Sequence, residues 1–139
     1  MIKVPKFKKA SQAATWIADT ISKKTWCKGD LARDTNNNSV KVKSPEAAQF
    51  CSVGFIEKAN QGYNTQLKLA LREVLLHTMY SKADIKEFEM TPKSIEIEDW
   101  NDRVDRTPEQ VRATFRQAAK LLAIKEKASK VKAKKAKVA

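Results

Sequence analysis

This 139-residue chain has few of the residues that interrupt helices or build covalent scaffolds. Its 3 glycines and 4 prolines disfavour a loop-rich or sandwich fold and favour helices. Its 2 cysteines, Cys27 and Cys51, are too few for a disulfide scaffold and are typical of buried free thiols in a reducing interior. The length fits one domain whose hydrophobic core needs no disulfide.

Long apolar runs are also missing. No segment approaches the roughly 20 apolar residues that span a bilayer. The lysines of the first ten residues are not followed by the apolar stretch of a secretory signal. We therefore expect a cytoplasmic protein without a transmembrane segment.

The net charge of +12 is concentrated at the two ends of the chain. Residues 1–9 carry four lysines and no acid, and residues 125–139 carry seven lysines and one glutamate. These ends account for +10, which leaves only +2 on residues 10–124. Within that body, residues 84–109 hold nine acids and four bases, for −5. The sequence thus predicts a nearly neutral domain with one acidic segment and two basic ends.

Capping residues and apolar periodicity predict two helices in the first half of the chain. The first begins at Ser11, a favourable N-cap, and ends by Gly29. The second begins at Ser44 and ends at Gly62. Gly54 within this second helix lowers helix stability by about 1 kcal/mol relative to alanine. Since glycine has no Cβ, we expect that another backbone segment approaches it closely. The apolar faces comprise Ala13, Ile17, Ala18 and Ile21, and then Ala47, Phe50, Cys51 and Phe55.

Two more helices are predicted in the second half. The third begins at Asn64 or Thr65. The last begins at Thr107, whose hydroxyl forms a capping box with Gln110. Alanine and lysine are good helix formers, so this helix is expected to continue into the lysine-rich end. The core-facing residues are Leu67, Leu71, Val74, Leu75 and Met79 in the third helix, and Val111, Phe115, Ala118 and Leu122 in the last.

Residues 31–43 are expected to form a β-hairpin. Three consecutive asparagines, Asn36 to Asn38, tolerate a left-handed turn, and Val40 and Val42 alternate with polar residues. Farther along, "DIKEF" predicts one helical turn, and "SIEIE" alternates like a short strand that would pair with the hairpin. The predicted fold class is mainly α: a single domain of about four helices, a small β-hairpin or three-stranded patch, and a basic C-terminal helical tail.

The stretch "EIEDWNDRVDRTPEQV" places acids, an amide and arginines around one tryptophan, which makes it the main candidate for a chemical site. An EF-hand loop starting at Asp99 would need glycine at its sixth position and glutamate at its twelfth, where Val104 and Gln110 stand. A glycosidase-like pair of carboxylates needs a specific separation that acids along a sequence do not establish.

The structural interpretation of this stretch is therefore favoured. Trp100 is expected to bury its indole at the helix entrance, and Asn101 and Asp102 to hydrogen-bond local backbone. Arg103 and Arg106 are expected to pair with nearby acids.

Two further groups of residues were weighed as sites. Cys27, Cys51 and His77 lack the spacing of zinc ligands, although a catalytic pair between one cysteine and His77 stays open. Arg33 and Asp34 could line a pocket with the "WND" residues, but an ion pair that fixes the turn is favoured. No enzyme activity, catalytic residue, cofactor or metal site is predicted. A protein-partner surface is expected to draw on Asp99, Trp100, Asn101, Asp102, Arg103, Arg106, Arg33 and Asp34.

The lysine-rich ends are the strongest chemical signal in the sequence. Lysines that neutralise phosphates release counterions, so they bind nucleic acid without reading bases. The tail has no aromatic residue for stacking and no arginine for guanine contacts, which argues against sequence specificity. The alternatives are a solubilising tail, a membrane surface, an acidic partner, and retention of the tail by the acidic segment in cis. The candidate nucleic-acid-binding residues are Lys3, Lys6, Lys8, Lys9, Lys125, Lys127, Lys130, Lys132, Lys134, Lys135 and Lys137.

Three motifs in order resemble a family of small bacterial and phage proteins of unknown function. They are W-C-K-G-D-L-A-R-D from Trp26, S-P-E-A-A-Q-F-C-S-V-G-F from Ser44, and W-N-D-R-V-D-R-T from Trp100. The resemblance covers roughly residues 12–122 and implies a small, mostly helical domain. It brings no established activity, substrate or catalytic residue, and the lysine-rich ends are not part of its pattern.

Together these observations predict a non-enzymatic accessory protein in three parts. Residues 1–10 form a basic N-terminal arm, residues 11–124 a globular helical domain, and residues 125–139 a lysine-rich tail. The basic ends are expected to bind nucleic acid non-specifically while the domain contacts a protein partner, and a homo-oligomer is compatible with this. The alternatives are a phage virion or assembly protein, and an inhibitor of a host enzyme that acts through the acidic surface of residues 84–109. If a phage encodes the protein, we expect it in the host cytoplasm or in the virion.

Overall fold

The computed structural model describes residues 2–61 and 65–138, and it has the mainly helical fold that was predicted. Two short helices add to the four expected ones, and the β-structure is one small antiparallel sheet within the described residues. The elements are α1 (Ala10–Thr20), β1 (Ala32–Arg33), β2 (Gln49–Phe50), α2 (Ser52–Ala59), α3 (Thr65–Met79), α4 (Lys82–Glu87), α5 (Ser94–Asn101) and α6 (Pro108–Val138).

Helices α1 and α6 lie antiparallel and form the main packing layer, with α3 against α6. Three contacts fix their register: Arg112 donates to the Ile21 carbonyl, Arg116 pairs with Asp19 at 3.0 Å, and Ser11 bonds Glu126. The first contact lies near the start of α6, and the last lies about one turn beyond Leu122, the last core residue of the helix. The predicted stripes are confirmed, because the following side chains are buried: Ala13, Ile17, Ala18, Ile21, Leu71, Val74, Leu75, Val111, Phe115, Ala118 and Leu122.

The two ends of α6 follow the sequence prediction. Gln110 donates its backbone N–H to the Thr107 hydroxyl at 3.2 Å, and the Gln110 side chain accepts from the Thr107 N–H at 3.0 Å. The capping box is thereby confirmed. At the other end the helix runs through the lysine-rich residues to Val138 without a break at residue 124.

The second helix begins later than predicted, at Ser52 rather than just after Ser44. Residues 48–50 are drawn into extended pairing instead, since the Ala48 N–H donates to the Arg33 carbonyl and the Phe50 N–H to the Thr25 carbonyl, both at 2.8 Å. Cys51 caps the helix, with its sulfur accepting from the Gly54 N–H. Gly54 confirms the expected close approach, because a Cβ there would lie 1.9 Å from the Leu31 carbonyl oxygen.

The predicted hairpin over residues 31–43 is present in a shorter form that is closed by a capped turn. The Asp34 carboxylate accepts from the N–H groups of Asn36 and Asn38, and Asn37 has a φ of 66°. The Asp34 N–H donates to the Asn38 carbonyl at 2.9 Å and the Val40 N–H to the Ala32 carbonyl at 3.1 Å, on either side of an antiparallel bridge between Arg33 and Ser39. The strand Ala32–Arg33 also pairs with Gln49–Phe50.

The expectation of a strand at "SIEIE" was wrong, since these residues form α5. A strand would place Ile95 and Ile97 on one face, but Ile97 is fully buried while Ile95 is 60% exposed. The buried pair is instead Ile97 and Trp100, three residues apart on one helical face. The helical turn predicted at "DIKEF" is confirmed by α4.

Helix α1 also departs from its predicted ends. Its N-cap is Lys9 rather than Ser11, because the Gln12 side chain accepts from the Lys8 and Lys9 N–H groups while Ser11 turns to Glu126. It ends at Thr20, well before Gly29, whose φ of 83° belongs to a later turn. The predicted stop at Gly62 and the cap at Asn64 lie outside the described residues.

Candidate functional site

The side chain of Asn101 joins two distant segments, at residues 26–27 and at Ser52, to the end of α5. It is fully buried. Its Oδ1 accepts from the Trp26 indole Nε1 at 2.7 Å, from the Ser52 hydroxyl at 2.7 Å and from the Ser52 N–H at 3.0 Å. Its Nδ2 donates to the Cys27 carbonyl at 3.1 Å and to the Asp102 carboxylate at 2.8 Å. We call Asn101 and these four partners the asparagine node.

Neighbouring contacts fix the same junction. Asp102 accepts from the Gly29 N–H at 3.2 Å, and Lys28 donates to the Arg103 and Val104 carbonyls at 2.6 and 3.2 Å. The amide of Asn101 thus uses both of its donor hydrogens and its oxygen on protein partners. A saturated, buried amide is suited to holding segments together rather than to proton transfer. The expectation that Asn101 and Asp102 hydrogen-bond local backbone was wrong, because their backbone partners at Ser52, Cys27 and Gly29 lie 49 to 74 positions away.

The two arginines of this stretch have different roles. The Arg106 guanidinium lies 3.7 Å above the Trp100 ring, and its Nε donates to the Trp100 carbonyl at 2.8 Å. Burial lowers the pKa of Arg106. Arg103 approaches Asp105 at 4.0 Å on the exposed surface. The expected pairing with acids therefore describes Arg103, whereas Arg106 stacks on the tryptophan.

A cleft of about 550 Å³ lies beside the asparagine node. Asp30 and Asp102 on its wall are already bonded, the former to Arg33 at 2.7 Å. Arg33 also donates to the Lys28 carbonyl, so its predicted ion pair with Asp34 was wrong. Among the described residues, no group of acids, cysteines and histidine could hold a metal ion. The cleft is lined by Gly29 to Leu31, Ser39 to Val42, Cys51, Glu98 and Asp102.

The cysteines are buried free thiols. Burial raises the pKa of Cys27 to about 12 and that of Cys51 to about 11. A thiol with so high a pKa has almost no thiolate at neutral pH and is a poor nucleophile. The histidine of the open Cys–His hypothesis, His77, is 45% exposed at its side chain and faces Glu73 at 3.4 Å.

The eight residues expected to form a partner surface are not all accessible. Trp100 and Asn101 are buried, and Arg33, Asp34 and Arg106 are partly buried in local contacts. Asp99, Asp102 and Arg103 are exposed. The accessible part of this set therefore lies in the acidic segment, residues 84–109, which also exposes Phe88 by 65%, Ile95 by 60% and Val104 fully.

The C-terminal part of α6 projects beyond the core. We call residues 125–138 the basic extension. All seven of its lysines are exposed, and none lies within ion-pair distance of a carboxylate in the described chain. Lys127, Lys130, Lys134 and Lys137 recur at spacings of three, four and three, which places them in one row about 15 Å long.

The N-terminal arm is held against the domain. Phe7 packs on Trp16 with ring centroids 5.9 Å apart, and Ile2 is partly buried against the core. Lys3, Lys6, Lys8 and Lys9 are exposed. Because Ser11 bonds Glu126, Lys8 and Lys9 lie near the base of the basic extension.

The acidic segment and the basic extension lie toward opposite ends of α6. Asp105 and Glu109 flank its first residue, and about 25 Å of continuous helix separates Pro108 from Lys125. The structure therefore does not support the hypothesis that the acidic segment retains the tail in cis, because the continuous helix α6 directs the tail away from that segment.

Sequence reasoning missed three residues: Trp26 and Ser52 at the asparagine node, and Glu126 at the base of the extension. The three motifs that follow one another in the sequence were a signal for the node, because the residues of the node lie in these motifs. The signal for Glu126 was that it is the one acid among the lysines of the tail.

In the described residues, no helix is both long enough and apolar enough to cross a membrane. No curated protein and no solved structure matches the chain. The model of a family of unknown function, DUF6197, matches residues 8–121, which include every partner of the asparagine node and end before the basic extension. The chain therefore belongs to this family of unknown function.

Proposed function

We propose that this protein is a non-catalytic bacterial or phage accessory protein that binds nucleic acid through the basic extension while its domain contacts a protein. The observation that carries the proposal is the row of four lysines on a helix that projects from the core. A non-catalytic role is supported by the saturated hydrogen bonds at the asparagine node and by the high pKa of both thiols.

The helical form of the extension favours contact with a phosphate backbone. The row Lys127, Lys130, Lys134 and Lys137 presents four ammonium groups on one side, with no carboxylate of the described chain competing for them. Lys8 and Lys9 near the base of the extension can add to the same field. Four neutralised phosphates give a salt slope of about −3.6, or roughly 100-fold weaker binding when salt rises from about 50 to about 200 mM.

The experiment is a binding titration by fluorescence anisotropy with a labelled duplex of arbitrary sequence. The row variant replaces Lys127, Lys130, Lys134 and Lys137 with alanine. The matched control replaces four exposed lysines of the domain, Lys23, Lys24, Lys41 and Lys43, and so removes the same charge. We expect the row variant to lose most of the affinity and about three units of the salt slope, while the control keeps both.

Two results would contradict the proposal. Equal losses in the row variant and the control would mean that net charge alone attracts the duplex. Binding that does not respond to salt would exclude a phosphate-based mechanism. A scrambled duplex should bind as well as the first one, because lysines that contact phosphates do not read bases.

The protein contact of the domain is proposed to use the acidic segment. It combines a charge of −5 with the exposed side chains of Phe88, Ile95 and Val104. Partner surfaces commonly combine apolar anchors with a charged surround. A pull-down repeated with and without nuclease separates such a contact from a nucleic-acid bridge, and a partner that is lost on nuclease treatment argues against it.

A further inference from the structure

Each end of α6 combines charged residues, mostly of one sign, with exposed apolar side chains. The acidic segment combines carboxylates with Phe88, Ile95 and Val104. The basic extension combines lysines with Val131, and Ile124 directly precedes the extension. Five of the seven large hydrophobic side chains that are exposed in the described chain lie in or next to these two regions. The two regions therefore carry opposite charges, and both expose apolar side chains.

Ile124 and the apolar residues of the basic extension form a narrow stripe. Ile124, Ala128 and Val131 follow one another at spacings of four and three, with Lys127, Lys132 and other lysines beside them. Ile124 is 65% exposed and Val131 is 45% exposed. A helix with such a stripe can lay it on a partner while its lysines reach acids at the margins of the contact.

These complementary regions cannot meet within one molecule in this fold. Along the continuous helix, Pro108 at the end of the acidic segment lies about 25 Å from Lys125 at the base of the extension and about 45 Å from its tip. The bonds from Ser11 to Glu126 and the pair of Arg116 with Asp19 hold α6 against α1 as far as the base. The complementarity can only be satisfied between two molecules.

We propose that the basic extension of one copy docks on the acidic segment of a second copy. This docking proposal rests on the proposed function only in that both assign binding to the acidic segment and to the basic extension. The contact joins unlike surfaces, so each bound pair retains one free acidic segment and one free extension. Such a contact does not close on itself and generates chains that lengthen with concentration. Nucleic acid that occupies the extension competes with this contact.

The experiment is sedimentation of nuclease-treated full-length protein at several concentrations. At about 50 mM salt we expect a mass above that of the monomer which rises with concentration. At about 0.5 M salt, where charges more than about 4 Å apart are screened, we expect the monomer. A monomer at every concentration in low salt would overturn the proposal, and so would a closed dimer of constant mass.

Two charge-reversal variants identify the surfaces. The first replaces Lys127, Lys130, Lys132, Lys134 and Lys135 with glutamate, which changes the charge of the basic extension from +6 to −4. The second replaces the exposed residues Glu87, Glu89, Asp99 and Asp105 with lysine, which changes the charge of the acidic segment from −5 to +3. Each should be monomeric alone at low salt, because both of its regions then carry the same sign. An equimolar mixture should regain association, because the reversed extension of one variant fits the reversed segment of the other.

Association of either variant alone, or a mixture that stays monomeric, would overturn the assignment. Circular dichroism and thermal melting confirm that both variants fold. Duplex binding measured on the same proteins separates this proposal from the function proposed above. The variant with the reversed acidic segment should bind duplex at least as well as the wild type even though it does not form chains.

Discussion

Glu126 in the basic extension caps α1 at Ser11, 115 positions earlier in the chain. The carboxylate accepts from the Ser11 N–H at 3.2 Å and from the Ser11 hydroxyl. The N-cap residue of α1, Lys9, supplies no side-chain hydrogen bond to that helix end. A carboxylate at a helix N-terminus satisfies a free N–H and interacts favourably with the helix dipole. The base of the extension is therefore anchored to the domain by an interaction that also stabilises α1.

Replacing Glu126 with alanine should destabilise the protein by about 1 kcal/mol, the usual cost of losing a helix cap. Hydrogen exchange of the amides in the first turn of α1 should become faster. Urea unfolding measures the first effect, and mass spectrometry measures the second. Glu46→Ala, at an exposed glutamate, is the control and should change stability by less than about 0.5 kcal/mol. Equal effects of the two replacements would show that Glu126 is not a cap.

Replacing Asn101 with alanine should destabilise the domain by about 3 kcal/mol or more. The change leaves the Trp26 indole and the Ser52 hydroxyl and N–H without their buried acceptor. Denaturant unfolding gives the free energy. Asn101→Asp restores the acceptor but removes the donor to Cys27 and places a charge beside Asp102, so it should not restore stability. Asn36→Ala, in an exposed turn, should be nearly neutral, and a similarly small loss at Asn101 would contradict its role.

Replacing Gly54 with alanine should destabilise the protein although alanine favours helices. The new Cβ would lie 1.9 Å from the Leu31 carbonyl oxygen, so two backbone segments must move apart. We expect a loss of about 3 kcal/mol against a gain in helix propensity of about 1 kcal/mol. Gly29→Ala is the comparison, since its Cβ would meet only a side chain at 3.5 Å and its cost comes from the φ of 83°. The Gly54 replacement should lower the melting temperature more.

Stability should decrease as the pH rises above about 9. The pKa of Cys27 is raised to about 12 and that of Cys51 to about 11 in the folded protein, from 9.0 for an exposed thiol. Between these values the unfolded chain loses thiol protons that the folded protein retains, so alkaline pH favours unfolding. Urea unfolding at pH 8 to 10.5 measures the slope.

The control for this pH effect is the double variant Cys27→Ala, Cys51→Ser, in which serine preserves the cap at the Gly54 N–H. Its stability should depend less on alkaline pH than that of the wild type. Identical pH dependence in the two proteins would assign the effect to other groups. In the wild type, both thiols should react with iodoacetamide only after denaturation.

The elements predicted correctly are those whose signals are local. Thr107 and Gln110 lie three residues apart, and the stripe that begins at Val111 repeats every three or four residues, so a short window of sequence contains the whole pattern. The same applies to the helical form of the tail, which follows from the intrinsic preference of alanine and lysine.

The failures arise where a distant segment overrides a local signal. Ser44 looks like a helix cap, but pairing of residues 48–50 with Thr25 and Arg33 keeps the chain extended beyond it. The alternation of Ile95 and Ile97 resembles a strand, but burial of Ile97 together with Trp100 selects a helix. The role of Asn101 depends on partners 49 and 75 positions away, and no single window of sequence contains them.

The separation between Asn101 and its partners sets an order of events during synthesis. A growing polypeptide presents Trp26 and Ser52 to solvent long before the ribosome releases the residue that completes their hydrogen bonds. Until then the Trp26 indole N–H and the Ser52 hydroxyl lack the acceptor that the folded domain gives them. A nascent chain arrested before Asn101 and α6 have emerged should be open to proteases, and release of α6 as well, which packs on α1, should make it resistant.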